Sequence, residues 1–294
     1  MNNDAWYSPM KYAFILILTI FNHLSHANCD SAKDTSRIVA AGGSITETIY
    51  FLELQEKLVA VDTTSNFPEE AKKFPSIGYV RALAAEGILS LNPTLILGED
   101  DMGPSIVLNQ IALTSTELRI IEEDFSATGI RNKVDCIANI FSEDTNSNDN
   151  YDRLLDAIVT LNELAISNSR SPQKIMFILM MRGTSPIVAG KYTSGDGLIK
   201  MAGGQNVMDD FDGWKPVSAE AINGANPDYI IITERAMNTF SSVESFSNQP
   251  SVAFTRAATK GNIIVKDGMS LIGFGPRTVT SALEIAKIIG RSNN

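Results

Sequence analysis

Short apolar runs alternate with helically spaced segments along most of this chain. Arg37-Ile38-Val39-Ala40-Ala41 reads as a first strand, Gly42-Gly43-Ser44 as a turn and Ile45 to Leu54 as a helix, before a second strand at Leu58-Val59-Ala60-Val61. Phe67-Pro68-Glu69-Glu70 opens a short helical segment, and Pro75 to Arg81 reads as a loop. Further on, Ser142 to Asn150 is free of apolar residues and predicts an exposed turn. Tyr151 to Ile166 then places Leu154, Leu155, Ile158, Leu161, Leu164 and Ala165 on one face, the spacing of an amphipathic helix that Pro172 ends. Lys174-Ile175-Met176-Phe177-Ile178-Leu179-Met180 predicts a buried strand, Thr193 to Ala202 a helix stopped by Gly203-Gly204, and Arg277 to Ile289 a closing helix.

One pattern is written twice, half a chain apart. The first copy runs from Gly78-Tyr79-Val80-Arg81 through Ala85-Glu86 to Asn92-Pro93 and the apolar run Thr94-Leu95-Ile96-Leu97. The second runs from Gly213-Trp214-Lys215-Pro216 through Ala219-Glu220 to Asn226-Pro227 and Asp228-Tyr229-Ile230-Ile231-Ile232. Each copy predicts an aromatic loop, a short helix, an Asn-Pro turn and a buried strand. A unit repeated once implies two similar lobes, and the strand-helix alternation implies mainly parallel sheets. The expected architecture is α/β: two similar lobes with mainly parallel sheets, joined by one long helix, with a ligand cleft between them. The segments are 1–27 (signal peptide), 28–148 (N-terminal lobe), 149–170 (connecting helix) and 171–294 (C-terminal lobe with its closing helix). A single helical connector predicts a stiff molecule with small lobe movements.

The N-terminus alters the chemistry available. Lys11 precedes the apolar stretch Tyr12 to Phe21, which is short for a bilayer span, and Ser25-His26-Ala27 supplies the small residues of a cleavage site. The segment 1–27 holds His23 and His26, the protein's two histidines, so the chain from Asn28 onwards has none. That excludes histidine triads, histidine-bound zinc and histidine-bound haem. Cys29 and Cys136 remain, as a disulfide or as two free thiols; Cys29 also admits a lipid anchor, although Asn28 suits a lipobox poorly. The net charge of -10 is unchanged by loss of the segment, which carries only Asp4 and Lys11, and it argues against nucleic acid.

Without histidine, the protein oxygens able to grip ferric iron are phenolate and carboxylate. Tyr79 follows Gly78 in a loop at the predicted carboxyl edge of a sheet, with Arg81 two residues on and Arg235 at the matching edge of the second lobe. A rim tyrosine that merely packs is the alternative. Met180, Met181 and Arg182 end the first strand of the second lobe; a thioether can ligate haem iron, but core or pocket lining is the plainer role. Glu86 and Glu220 occupy equivalent places, as first-turn acids of short helices or as a pair of carboxylates gripping a basic partner. Gly42-Gly43-Ser44 opens a helix whose N-terminus could take an anion or be a simple tight turn. An exported hydrolase is a rival class: the chain has serines, but after residue 27 no histidine base, and no Gly-x-Ser-x-Gly elbow.

These residues resemble a family, the periplasmic haem-binding proteins of bacterial ABC importers, within the helix-linked class that also carries vitamin B12 and ferric siderophores. The resemblance runs from Arg37 to about Arg291, on Ala41-Gly42-Gly43-Ser44-Ile45-Thr46-Glu47, Val61-Asp62-Thr63-Thr64-Ser65, Gly78-Tyr79-Val80-Arg81-Ala82-Leu83, Ala85 to Pro93, Val188-Ala189-Gly190, Ala202 to Asn206 and Phe274-Gly275-Pro276-Arg277-Thr278. It implies a monomeric, non-enzymatic carrier in the periplasm that binds ferric haem and hands it to an inner-membrane ABC permease dimer with its ATPase. An outer-membrane haem receptor system would act upstream. It further implies Tyr79 as axial ligand, Arg235 bonded to that ligand or to a propionate, and Glu86 and Glu220 docked on permease arginines. Some relatives place a histidine near Met180 to Gly183, which this chain lacks, so the sixth iron position stays open. A ferric siderophore or vitamin B12 is the alternative cargo.

Overall fold

In the computed structural model, which describes residues 29–143, 149–183 and 185–291, four parallel strands build a first sheet. The expected signal peptide and residues 144–148 of the polar turn lie outside the described residues. The order along the chain is β1 (Ile38–Ala41), α1 (Gly43–Phe51), β2 (Leu58–Val61), α2 (Ala85–Leu89), β3 (Leu95–Glu99), α3 (Ser105–Ala112), β4 (Glu117–Ile121) and α4 (Ala127–Ile140). In space the strands lie β2-β1-β3-β4, every pair parallel. β1 and β3 are buried throughout, as continuous apolar strands must be when helices cover both faces.

α5 (Asp149–Asn168) joins the halves and buries Tyr151, Leu154, Ile158 and Leu161. The second half runs β5 (Lys174–Arg182), β6 (Ser185–Ala189), α6 (Ser194–Met201), β7 (Gln205–Asn206), β8 (Trp214–Pro216), α7 (Ala219–Ala225), β9 (Tyr229–Thr233), α8 (Glu234–Met237), α9 (Val243–Ser247), α10 (Arg256–Lys260), β10 (Ile263–Lys266), α11 (Gly268–Ile272) and α12 (Pro276–Gly290). Its sheet order is β10-β9-β5-β6-β8, with β7 beside the start of β5. β10, β9, β5 and β7 are parallel, while β6 and β8 add antiparallel pairings. Trp214-Lys215-Pro216 is not a loop like its counterpart around Tyr79 but an edge strand, because β6 returns antiparallel from β5 and offers it a free edge.

The two sheets share a core. A single apolar cluster holds Ile38, Ile45 and Leu95 of the first half, Ile175, Phe177 and Ile231 of the second, and the inner faces of α4, α5 and α12. Asn168 at the end of α5 is buried and donates to the carbonyls of Ala202 and Ala286 at 3.1 and 2.9 Å, pinning α5 to α6 and α12. Smaller clusters fill the opposite faces, around Val39, Ile96 and Ile111 in one half and Met176, Ile230 and Phe246 in the other. Wide separation of the halves would expose this common core, which favours a stiff molecule. Cys29 and Cys136 are joined as a disulfide that ties the chain before β1 to α4, so the Cys29 sulfur is not free to carry a lipid.

Candidate functional site

The Tyr79 loop is held from both sides. Ile77 donates to the Val61 carbonyl, Thr63 to the Gly78 carbonyl and Ala82 to the Tyr79 carbonyl, at 2.9, 2.9 and 2.8 Å. Val80 and Leu83 are buried anchors, and the chain beyond β3 holds this loop through Gly103, whose N–H donates to the Val80 carbonyl at 3.0 Å and whose carbonyl accepts from Leu83 N–H at 2.9 Å. Gly78 has φ 89°, a left-handed conformation that glycine adopts without strain. Between these fixed points the Tyr79 ring stands 47% exposed, and among the described residues no side chain bonds its hydroxyl.

Arg81 turns its guanidinium onto Asp101, with Nε and a terminal nitrogen 2.9 and 2.7 Å from one oxygen. That hydrogen bond is the main reason the guanidinium sits above its ordinary value; partial burial opposes it, and the charges of Asp101, Tyr79 and Glu123 add to it. Asp101 belongs to the acid run Glu99-Asp100-Asp101, which begins at the last residue of β3, and Glu122-Glu123-Asp124 follows the neighbouring β4. Burial, and then the charge of Glu99, push the Glu123 carboxyl up to about 8, against the pull of Lys133. Glu99 is buried and accepts from Lys133 Nζ and Ser44 Oγ. The sequence reading passed over these carboxylates, although an acid triplet at the end of each of two short apolar runs, Leu95-Ile96-Leu97 and Ile120-Ile121, is visible in the sequence.

The glycine turn at the head of α1 is internally satisfied. Gly42 N–H donates to Asp62 Oδ1 at 3.1 Å and Gly43 N–H to Thr64 Oγ1 at 2.9 Å, while Thr64 N–H and the Ser65 hydroxyl also donate to Asp62. The Asp62-Thr63-Thr64-Ser65 loop therefore occupies the helix terminus, and the tight-turn reading holds over the anion site.

On the second sheet, Thr233 ends β9 and caps α8: its hydroxyl donates to the Leu179 carbonyl at 2.7 Å and accepts from Ala236 N–H at 3.2 Å. Arg235 is thereby fixed, exposed, at the carboxyl edge of β9. β5 runs past that edge to Arg182, also exposed, and the pairing with β6 shifts between Ile178 and Met180. The shift turns Met181 against the apolar cluster around Met176 and Ile178, while Met180 is half-buried. Arg182 at the end of β5 and Arg235 on α8 both lie beyond the carboxyl end of the β5–β9 pairing, and among the described residues neither has a carboxylate partner. Glu86 and Glu220 are both exposed in the first turns of α2 and α7, one on each half. The Glu220 carboxyl is held below its usual range by its own N–H and by the Ser218 hydroxyl. A separate cavity lined by Lys191, Asp196, Lys200, Asn206 and Asp209 opens at the opposite edge of the second sheet, near the start of β5.

The periplasmic binding protein family matches residues 38–268. The periplasmic haem-binding protein RhuT of Roseiflexus sp. RS-1, in its apo form, is 31% identical with a TM-score of 0.76, covering 89% of this chain and 100% of that one. HutB, the periplasmic haem-binding protein of Vibrio cholerae, is 31% identical with a TM-score of 0.75, covering 87% and 99%. The vitamin B12-binding protein of Yersinia pestis (strain Pestoides F) is 26% identical over 204 residues, 69% of this chain and 71% of its own length. Among the curated relatives the aligned stretch spans from 65% to 71% of their length.

Proposed function

The chain belongs to the periplasmic binding protein family, and on that premise we propose that it binds ferric haem between its lobes and delivers it to an ABC permease of the inner membrane. The observation that carries the cargo is Tyr79, a half-exposed phenol on a doubly anchored loop, in a chain without histidine after residue 27. A hard ferric ion is suited by phenolate, which haem proteins use as an axial ligand. The charge distribution supports one orientation. Carboxylates crowd the edge that bears Tyr79 and would repel propionates, whereas the opposite sheet offers the guanidiniums of Arg182 and Arg235, which have no carboxylate partner among the described residues. Tyr79 then holds the iron, Arg235 and Arg182 receive the propionates, and Met180 lies beside them. Arg81 stays on Asp101. Glu86 and Glu220 meet basic residues of the permease. The protein acts as a carrier, with no catalytic step.

An absorption titration of the protein with ferric haem tests this. A saturable Soret band with high-spin features in the visible range is expected, and Tyr79→Ala should lose those features. A featureless titration, with cyanocobalamin bound instead, would replace the haem reading by vitamin B12, which the Yersinia match favours as the second cargo. A ferric siderophore is the remaining member of the class.

A further inference from the structure

The N-terminus of α12, in the second half, is capped by a side chain from the first. Glu47 on α1 is buried; its Oε1 accepts the Arg277 backbone N–H at 2.7 Å and its Oε2 accepts Arg277 Nε at 2.8 Å. A carboxylate in that position satisfies one free N–H and meets the positive end of the helix. The approach depends on Gly275, where a Cβ would stand 2.9 Å from Glu47 Oε1. Arg277 reaches further. Its Nη1 donates at 3.2 Å to Asp267, which caps α11, and its guanidinium lies 3.7 Å over the Phe67 ring, in the loop after β2. Beside it the head of α1 touches α11, since a Cβ on Gly43 would lie 2.6 Å from Met269 Cε. The carboxyl ends of β1 and β10 thus meet through one guanidinium held by two carboxylates and a ring.

We propose that Glu47 and Arg277 form a latch that fixes the spacing of the two lobes, and with it the span across which Tyr79 and Arg235 face a single ligand. Naming that ligand as haem rests on the reading above; the latch itself does not. Both are positioning residues, acting through the lobes they join. Parting the lobes strips the Glu47 carboxylate of its cationic partner and leaves the first turn of α12 without its cap. A partner that opens the cleft must therefore bind the open state better than the closed one to shift the balance.

The test uses ligand-free protein with spin labels on Lys73→Cys and Lys260→Cys, exposed positions on either half, the native cysteines being paired. Pulsed dipolar spectroscopy should give one narrow distance in the parent and a broadened or displaced distribution in Arg277→Ala and in Glu47→Gln, with Arg277→Lys between. If Arg277→Ala does not fold, Glu47→Gln, which keeps the side-chain shape, gives the same reading. Haem should leave both variants on the order of tenfold faster, with absorption bands unchanged because Tyr79 is untouched. Folded variants with the parental distance distribution would overturn the latch. A parent that binds no haem would overturn the cargo and leave the distance measurement standing.

Discussion

Arg81 places Nε and a terminal guanidinium nitrogen on a single oxygen of Asp101, at 2.9 and 2.7 Å, so the cation nearest Tyr79 in sequence is already engaged by a carboxylate. The pair is open to solvent, with the Arg81 side chain 61% exposed, and such pairs are worth about 1 kcal/mol or less. On the proposed reading of the site, Asp101 would act less as a structural brace than as a brake on what Arg81 offers a phenolate.

Asp101→Asn should release that brake. It frees the guanidinium and removes a negative charge beside Tyr79, so haem should dissociate roughly threefold to tenfold more slowly, an effect of about 1 kcal/mol. Arg81→Ala should act in the opposite sense. Transfer of bound haem to an excess of apomyoglobin, followed by stopped flow, measures both rates; identical rates in the two variants and the parent would remove Arg81 from the site.

Glu123 predicts an unusual pH dependence. Its folded carboxyl is raised from 4.5 to about 8, first by burial and then by Glu99. Between those values the folded chain keeps a proton that the unfolded chain has released, so stability falls as pH rises through that window and levels off above it. Glu47, raised by burial against the pull of Arg277, contributes in the same direction. Glu123→Gln should flatten much of the slope and make the protein more stable than its parent at pH 8.5, by on the order of 2–3 kcal/mol. Urea unfolding at pH 5, 7 and 8.5 reads this directly. An unchanged slope in Glu123→Gln would show that the group ionises normally.

Much of the fold was legible because it rests on periodicity. The apolar runs that became β1, β2, β3, β5 and β9, and the one-sided pattern of α5, follow from strand and helix geometry alone. The short helices at Glu86 and Glu220 follow from the repeated sequence. What periodicity could not reveal was pairing at a distance. Trp214-Lys215-Pro216 is a strand because β6 offers it an edge, which nothing within those three residues specifies. The latch joins Glu47 to a residue 230 positions away. Whether Cys29 meets Cys136 was likewise undecidable before their backbones were placed. At the candidate site, Tyr79 is singled out by residue type alone. The acids beside it became meaningful only when β3 and β4 proved to be neighbours, bringing two acid runs to one edge.

Glu86 and Glu220 should separate docking from binding. Both are exposed and on different halves, and neither makes a salt bridge among the described residues. Glu86→Ala and Glu220→Ala should leave the haem titration unchanged. Each should weaken binding to the permease in liposomes on the order of tenfold, and the double variant should abolish stimulation of the ATPase. Full stimulation by the double variant would confine these carboxylates to capping their helices.

The Lys133–Glu99 pair is a buried ion pair under the acidic edge, and its energetics should show in a double-mutant cycle. Lys133 is 3% and Glu99 6% exposed, and Ser44 donates its hydroxyl to the same Glu99 oxygen that the ammonium meets. Lys133→Met strands the Glu99 carboxylate near Glu123 with only a neutral donor, which should cost roughly 3–5 kcal/mol. Glu99→Gln strands the ammonium with a similar penalty. Together the two changes leave no unpaired charge, and a buried pair replaced by neutral groups of similar size is often close to neutral in stability. The double variant should therefore lie within about 1 kcal/mol of the parent, a large favourable coupling where independent sites add to within about 0.5 kcal/mol. Urea unfolding of the four proteins at pH 7 measures the coupling, and simple additivity would show that the two charges do not depend on each other. The cycle also bears on Glu123. Lys133 pulls its carboxyl down, so Lys133→Met should move the pH-dependent loss of stability to still higher pH, and Glu99→Gln should move it lower.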